Sequence, residues 1–175
     1  MIVVLLRGLV LFVAAMLLCG CETTRSGLDY SAIERKIGPP KAGQARVVVL
    51  REKGFGGLGD PDWAFSIDGM PIKGLKTGTY VYVDRPAGQH QFVAEEAALG
   101  VTRVDFTARS GQTVFFVARY SERKNAMIAN SSTGLLGWGL TLAITSGYKN
   151  QGPLDFLPLE EQAARTTVAE LRLAE

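Results

Sequence analysis

From Ala45 to Tyr120 the chain is a series of short runs of β-branched and aromatic residues, separated by Gly, Pro and Asp. Runs of this kind, bounded by turn residues, are typical of strands in an antiparallel all-β domain. In one of them Trp63, Phe65 and Ile67 occupy alternate positions and therefore share one face of the strand. The predicted strands cover residues 45–51, 63–68, 71–75, 79–84, 89–95, 101–108 and 112–120.

The C-terminal tail follows a helical rather than an alternating pattern. Within residues 160–172, Ala164, Val168 and Leu171 stand at i, i+4 and i+7, which predicts an amphipathic helix. A single terminal helix is expected to cover one face or edge of the sheet. The sequence therefore predicts a mainly β fold, an antiparallel β-sandwich with a C-terminal amphipathic helix.

The N-terminal segment has the pattern of an export signal. Of the first 20 residues, 17 are apolar, and the uninterrupted apolar run from Leu9 to Leu18 is shorter than a spanning helix needs. The run ends in Leu18-Cys19-Gly20-Cys21, which resembles the lipobox of bacterial lipoproteins. This resemblance implies that signal peptidase cleaves between Gly20 and Cys21 and that the Cys21 thiol carries a lipid.

This assignment fixes the expected organisation and location of the chain. Residues 1–20 are the signal peptide, 21–44 the lipidated Cys and a tether, and 45–175 the domain. A short helical turn is possible at residues 30–37. The lipobox resemblance implies that an aspartate after the lipidated Cys retains a protein in the inner membrane. Glu22 therefore favours the periplasmic side of the outer membrane, with the inner membrane as the alternative.

Charge and glycine pattern argue against two other classes of partner. The chain has 19 Lys and Arg against 17 Asp and Glu, so we expect no nucleic-acid partner. Gly54, Gly56 and Gly59 match the G-x-G-x-x-G pattern of dinucleotide-binding loops. A strand rather than a helix is predicted to follow them, so no helix N-terminus would hold a pyrophosphate and no cofactor is expected.

The single histidine and two tyrosines are the remaining candidates for chemistry or ligand contact. His90 has Asp84 or Asp105 as a conceivable acidic partner, but no nucleophile or second metal-ligand motif accompanies it. We therefore expect it to pack or to cap a turn, and we predict no catalytic or metal-binding residue. Tyr80 and Tyr82 could face a ligand, although cross-strand packing is the commoner role.

The uncharged stretch Gly134 to Ile144, GLLGWGLTLAI, is the most unusual part of the mature chain. It is too short to span a bilayer. Three interpretations are open: a buried strand or hairpin, a glycine-rich helix packed closely against a partner helix, and an apolar loop touching the membrane near the anchor. If the stretch is exposed, it forms an interaction patch. The residues of that patch are Leu135, Leu136, Trp138 and Leu140.

Several segments in the same order resemble one family. They are PPKAGQARVVVLR (39–51), FSIDGMPIKGLKTGTYVYVDRPAGQH (65–90), ARSGQTVFFVARY (108–120) and the terminal AELRLAE. Together with the lipobox they resemble the DUF2846 family of bacterial lipoproteins. The resemblance implies a small β-sandwich like those of prealbumin or carboxypeptidase-regulatory modules, and it implies no known active site.

These observations predict a membrane-anchored periplasmic lipoprotein. Its β-sandwich is expected to be a binding or structural module that holds an envelope protein or a glycan, while the Cys21 lipid contacts the membrane. One alternative is a membrane-active or oligomer-forming lipoprotein that uses residues 134–144. The other is a periplasmic hydrolase-type enzyme that uses His90.

Overall fold

The computed structural model describes residues 27–53 and 61–174. The predicted signal peptide, Gly20, Cys21 and the glycine motif at 54–59 lie outside these residues. Within them the strands are β1 Gln44–Arg51, β2 Trp63–Ile67, β3 Met70–Leu75, β4 Thr79–Pro86, β5 Gly88–Glu96, β6 Gly100–Ala108, β7 Thr113–Tyr120, β8 Leu154–Leu159 and β9 Arg172–Leu173. The helices are α1 Tyr30–Ile37, α2 Glu122–Ala129, α3 Gly134–Ile144 and α4 Glu161–Ala169.

The strands form two sheets, which confirms a mostly β fold. One sheet has the order β3-β2-β5-β6 and is antiparallel throughout. At its β2–β3 hairpin, Asp68 and Gly69 both have positive φ, +53° and +77°, as the tight turn predicted there requires. The other sheet has the order β8-β7-β1-β4-β9.

The five-stranded sheet is mixed, so the prediction of a wholly antiparallel fold is wrong for it. β1 pairs in parallel with β7, and β4 pairs in parallel with β9. All strands of the four-stranded sheet lie between β1 and β7 in the chain. Within the five-stranded sheet, β4 lies on one side of β1 and β7 on the other. A parallel neighbour of this kind is decided by long-range topology, which the pattern inside each strand does not record.

The facing sides of the two sheets share one hydrophobic core. It is centred on aromatic rings: Phe92 stacks on Phe156 at a centroid distance of 4.5 Å, and Phe65 lies 5.1 Å from Phe156. Phe65 and Phe92 belong to the four-stranded sheet and Phe156 to the five-stranded sheet. The predicted buried face of β2 is confirmed, because Trp63, Phe65 and Ile67 are all buried there.

Helices α1 and α4 cover the other side of the five-stranded sheet and form a second core. Ala164, Val168 and Leu171 are fully buried, as the C-terminal pattern predicted. Tyr30 of α1 packs edge-on against Tyr80 and Phe115, with ring centroids 5.6 and 5.7 Å away.

Two expectations therefore change on this side of the sheet. Helix α1 lies inside the stretch assigned to a tether, yet its Tyr30 and Ile33 belong to the core. Tyr80 is buried rather than exposed to a ligand. Tyr82 is partly buried, and the Arg46 guanidinium lies 5.5 Å from the centroid of its ring. Cross-strand packing is thus the role that the structure gives both tyrosines.

Candidate functional site

A helical hairpin leaves the β domain between β7 and β8. It consists of α2, a 3-10 turn at Ser131–Thr133, α3 and a second 3-10 turn at Thr145–Gly147. We call residues 122–147 the apolar hairpin. Every residue from Ile128 to Leu136 is exposed. Residues 125–148 contain no charged side chain, although Lys124 and Lys149 stand directly at either side.

Helix α3 carries its polar residues on the inside. Thr141 and Thr145 are only 3% and 1% exposed. The Thr141 hydroxyl donates to the Gly137 carbonyl at 2.8 Å and accepts from the Asn130 amide at 3.0 Å. The Thr145 hydroxyl donates to the Thr141 carbonyl at 2.7 Å. The face that packs against the rest of the hairpin is therefore made of glycine and threonine.

Most apolar side chains of α3 point outward, and Leu142 alone among its leucines is partly buried. Leu135 and Leu136 are each 88% exposed, and Leu140 and Ile144 are 62% and 65% exposed. A leucine left in water forgoes about 1.5–3 kcal/mol relative to a buried one. This arrangement is the reverse of a helix in a water-facing surface, which buries its leucines and exposes its threonines. α3 therefore presents an apolar surface on the outside of the hairpin.

The base of the apolar hairpin is fixed to the β domain by polar contacts. Ser121 caps α2 by accepting from the Lys124 backbone N–H, and its hydroxyl donates to the Gly152 carbonyl at 2.6 Å. The buried Arg123 guanidinium donates to the Thr145 carbonyl at 3.1 Å and to the Gln151 side-chain oxygen. An ion pair joins Lys124 to Glu96 at the end of β5. These contacts hold the hairpin, and with it the outward leucines of α3, in a fixed position on the β domain.

The structure decides between the three interpretations of residues 134–144. The buried strand and the loop conformation are wrong, and the helix is confirmed, while contact of the segment with a membrane stays a prediction. The helix packs against its neighbour α2. Gly137 lies close to the 3-10 turn that joins the two helices, since a Cβ there would overlap the Thr133 hydroxyl. The sequence signal was ambiguous because a short apolar run without periodicity fits a buried strand as well as a helix. Helix α2, which supports α3, was not predicted.

The second candidate site is polar and is formed by His90 of β5 against the β2–β3 turn. Its Nδ1 lies 2.7 Å from the Asp68 carboxylate and its Nε2 lies 2.8 Å from the Pro86 carbonyl oxygen. Both partners are hydrogen-bond acceptors, and each ring nitrogen is therefore engaged in a contact within the fold. The conceivable partners named from the sequence are engaged elsewhere: Asp84 binds Arg46, and Asp105 accepts from Gln91.

An open cleft of about 430 Å³ lies beside this histidine. Burial acts to raise the pKa of Asp68, but hydrogen bonds from His90 and from the Gln91 backbone N–H outweigh it and hold that pKa below its ordinary value. The carboxylate therefore stays charged and engaged with the histidine. The lining residues are Asp68, Gln89, His90, Gln91, Asp105, Phe106 and Thr107. His90 therefore holds the β2–β3 turn in place, which is the role expected for it. Both of its ring nitrogens are engaged, so neither is available for general-base catalysis in this arrangement.

Two further features bear on the kind of site available. Across residues 27–53 and 61–174, no three His, Cys, Asp or Glu side chains come together in a way that would hold a metal ion. Over the same residues, no helix has the length and apolar character needed to cross a membrane.

Comparison with known proteins finds no similar family model, no similar curated protein and no similar solved structure.

Proposed function

We propose that the protein is a lipoprotein of the bacterial cell envelope, anchored by a lipid on Cys21 on the periplasmic side of the outer membrane. Its mostly β domain is a binding or structural module rather than an enzyme, and it makes its contact through the apolar hairpin. The observation that carries this proposal is α3 itself, a supported helix whose leucines face outward. An exposed apolar surface of this kind marks a site of interaction.

We also propose that the domain is a prealbumin-like sandwich of the DUF2846 type. The eight longer strands support this assignment, since β8-β7-β1-β4 and β3-β2-β5-β6 form two sets of four with a common core. The parallel pairing of the first strand with the seventh fits such a sandwich. In the proposed arrangement β9, α1 and α4 are additions that cover one edge and one face.

The anchor is tested by replacing the cysteine. The Cys21→Ser protein is expected to lose palmitate labelling and membrane retention in cells, because serine offers no thiol for lipid attachment. A Cys19→Ser protein is the matched control and should keep both. Palmitate incorporation that persists in Cys21→Ser would contradict the lipoprotein assignment.

The contact surface is tested separately by photo-crosslinking in cells. A photoreactive residue at Leu136, which is 88% exposed, should form adducts with protein or with lipid. The control position is Leu157 on β8, an exposed leucine outside the hairpin. Equal or absent adducts at the two positions would show that α3 is not the contact surface.

A further inference from the structure

We propose that α3 lies in the periplasmic leaflet of the bilayer that carries the lipid anchor, so that the domain is held to the membrane at two points. This inference rests on the proposed function and names the partner of the apolar hairpin as lipid. Three independent features of the molecule support it: the width of the apolar surface, the place where the chain enters the fold, and the residues that flank the hairpin.

The apolar surface of α3 is too wide for a single helix-packing contact. Neighbouring residues in a helix are about 100° apart, so Gly137, Thr141 and Thr145 occupy a face only about 80° wide. The remaining arc of about 240°, from Trp138 round to Ile144, carries only apolar side chains and one glycine, all of them exposed except the partly buried Leu142. A docked protein covers one side of a helix, whereas lipid chains surround it. The breadth of the arc therefore favours lipid.

The chain enters the fold at the end of the sheet that bears the hairpin. β1 runs from Gln44 to Arg51, and Tyr80 pairs with Leu50 near its last residue, which defines the Arg51 end. Leu28 lies at this end, since its carbonyl accepts from the Leu173 backbone N–H and from the Tyr80 hydroxyl.

The apolar hairpin starts at the same end. β7 is parallel to β1, with Val117 opposite Leu50, so Tyr120 and the start of α2 lie beyond the last residues of β1. Cys21 precedes Gly27 by six positions, with only five residues between them. Six steps along the chain reach at most about 20 Å. A lipid on Cys21 therefore keeps the end of the domain that carries α3 close to the bilayer surface.

The residues at the edges of the apolar surface suit the membrane interface. Trp138 and Tyr148 are 39% and 37% exposed, and aromatic residues of this kind concentrate at the level of the headgroups. Lys149 directly follows the uncharged stretch and is exposed, so its long basic side chain can reach phosphate groups. With 11 residues, α3 is about 16 Å long, which is half the thickness of the hydrocarbon core. It can lie within one leaflet but cannot cross the bilayer.

The position of Trp138 in the membrane provides the test. The chain has two tryptophans, and the other, Trp63, is buried in the core between the sheets. The lipidated Trp63→Phe protein, reconstituted in phosphatidylethanolamine–phosphatidylglycerol vesicles, reports on Trp138 alone. Lipids brominated near the headgroup end of the acyl chains should quench its emission about twofold. The matched control is Trp138→Phe, whose remaining Trp63 should not be quenched.

A charged substitution makes the readout specific. Adding Leu136→Glu to the Trp63→Phe protein should remove the quenching, because a carboxylate is expelled from the hydrocarbon, while far-UV circular dichroism stays unchanged. If Trp63→Phe fails to fold, a nitroxide on Leu136→Cys measures the same depth through its accessibility to oxygen. Absence of quenching, or a water-accessible nitroxide, in membrane-bound protein would overturn the inference. Protein adducts at Leu136 would then retain the proposed contact surface while assigning it to a protein partner.

Discussion

An ion pair between the buried Arg46 and the partly buried Asp84 fixes the start of β1. Arg46 is 2% exposed, and its guanidinium donates twice to Asp84, at 2.8 and 3.0 Å, and once to the Gly38 carbonyl, at 2.7 Å. The hydrogen bonds that Arg46 donates to Asp84 raise the pKa of the arginine, so it remains charged. The pair connects two neighbouring strands and the end of α1.

Removing the acid of this pair is expected to be costly. Asp84→Ala leaves the buried guanidinium without its counter-charge, so the free energy of unfolding should fall by about 3 kcal/mol in urea denaturation. Glu52→Ala is the matched control, since it breaks an ion pair to Arg119 in which both side chains are about half exposed. That change should cost less than about 1 kcal/mol. Equal losses in the two proteins would refute the argument from burial.

Asp68 gives the fold a defined sensitivity to acid. Its pKa is lowered in the folded protein from an ordinary value of 3.8. The stabilisation is therefore complete above pH 3.8 and is lost as the pH falls through the lowered value. Asn tolerates the positive φ at this position, so Asp68→Asn should keep the turn and flatten the decline of the unfolding free energy in acid. Gln89→Ala in the same cleft should keep the wild-type profile, and identical slopes for Asp68→Asn and wild type would contradict the assignment.

At the scale of elements, α3 depends on which of its glycines faces inward. A Cβ at Gly137 would overlap both the hydroxyl and the Cβ of Thr133, whereas a Cβ at Gly139 meets nothing within 4 Å. Gly139→Ala should therefore stabilise α3 by up to about 1 kcal/mol through helix propensity. Gly137→Ala should destabilise it by about 1–3 kcal/mol through overpacking. Amide hydrogen exchange of residues 134–144 measures both changes, and equal protection in the two variants would count against the close approach.

The sequence predicts well those elements whose residue pattern is complete within the element itself. β2, the Asp68-Gly69 turn and the buried face of α4 follow from alternation, from turn residues and from i, i+4 spacing. The sequence does not predict β8, because the strand contains Pro158, which is unfavourable in a strand interior. The sequence is compatible with three interpretations of α3, since its leucines do not mark a face that points to the core.

At the scale of the whole molecule, the layer of helices and the strand order come from contacts between distant residues. The Arg165 guanidinium of α4 donates to both Glu34 oxygens on α1 at 3.0–3.1 Å, joining residues 131 apart in sequence. No local pattern predicts such a contact, which is why α1 was expected to belong to a tether. The same long-range topology separates the Arg51 end, with α3 and Leu28, from the Gln44 end, with His90 and the β2–β3 turn.

This polarity predicts how the anchored domain is oriented. Leu140 on α3 and Met70 beside the β2–β3 turn are 62% and 57% exposed, so cysteines at these positions should react equally with a polar maleimide when the protein is in detergent. In vesicles, Leu140→Cys should react about tenfold more slowly, because the polar reagent is excluded from the hydrocarbon, while Met70→Cys keeps its rate. Rates are followed by the mass shift of the labelled protein. The wild-type chain gives the background, since the Cys21 thiol is expected to be blocked by lipid.

Equal protection of both positions would mean that the domain lies flat on the membrane. Protection of Met70→Cys alone would mean that the Gln44 end faces the bilayer, which the short connection from Cys21 to Gly27 argues against.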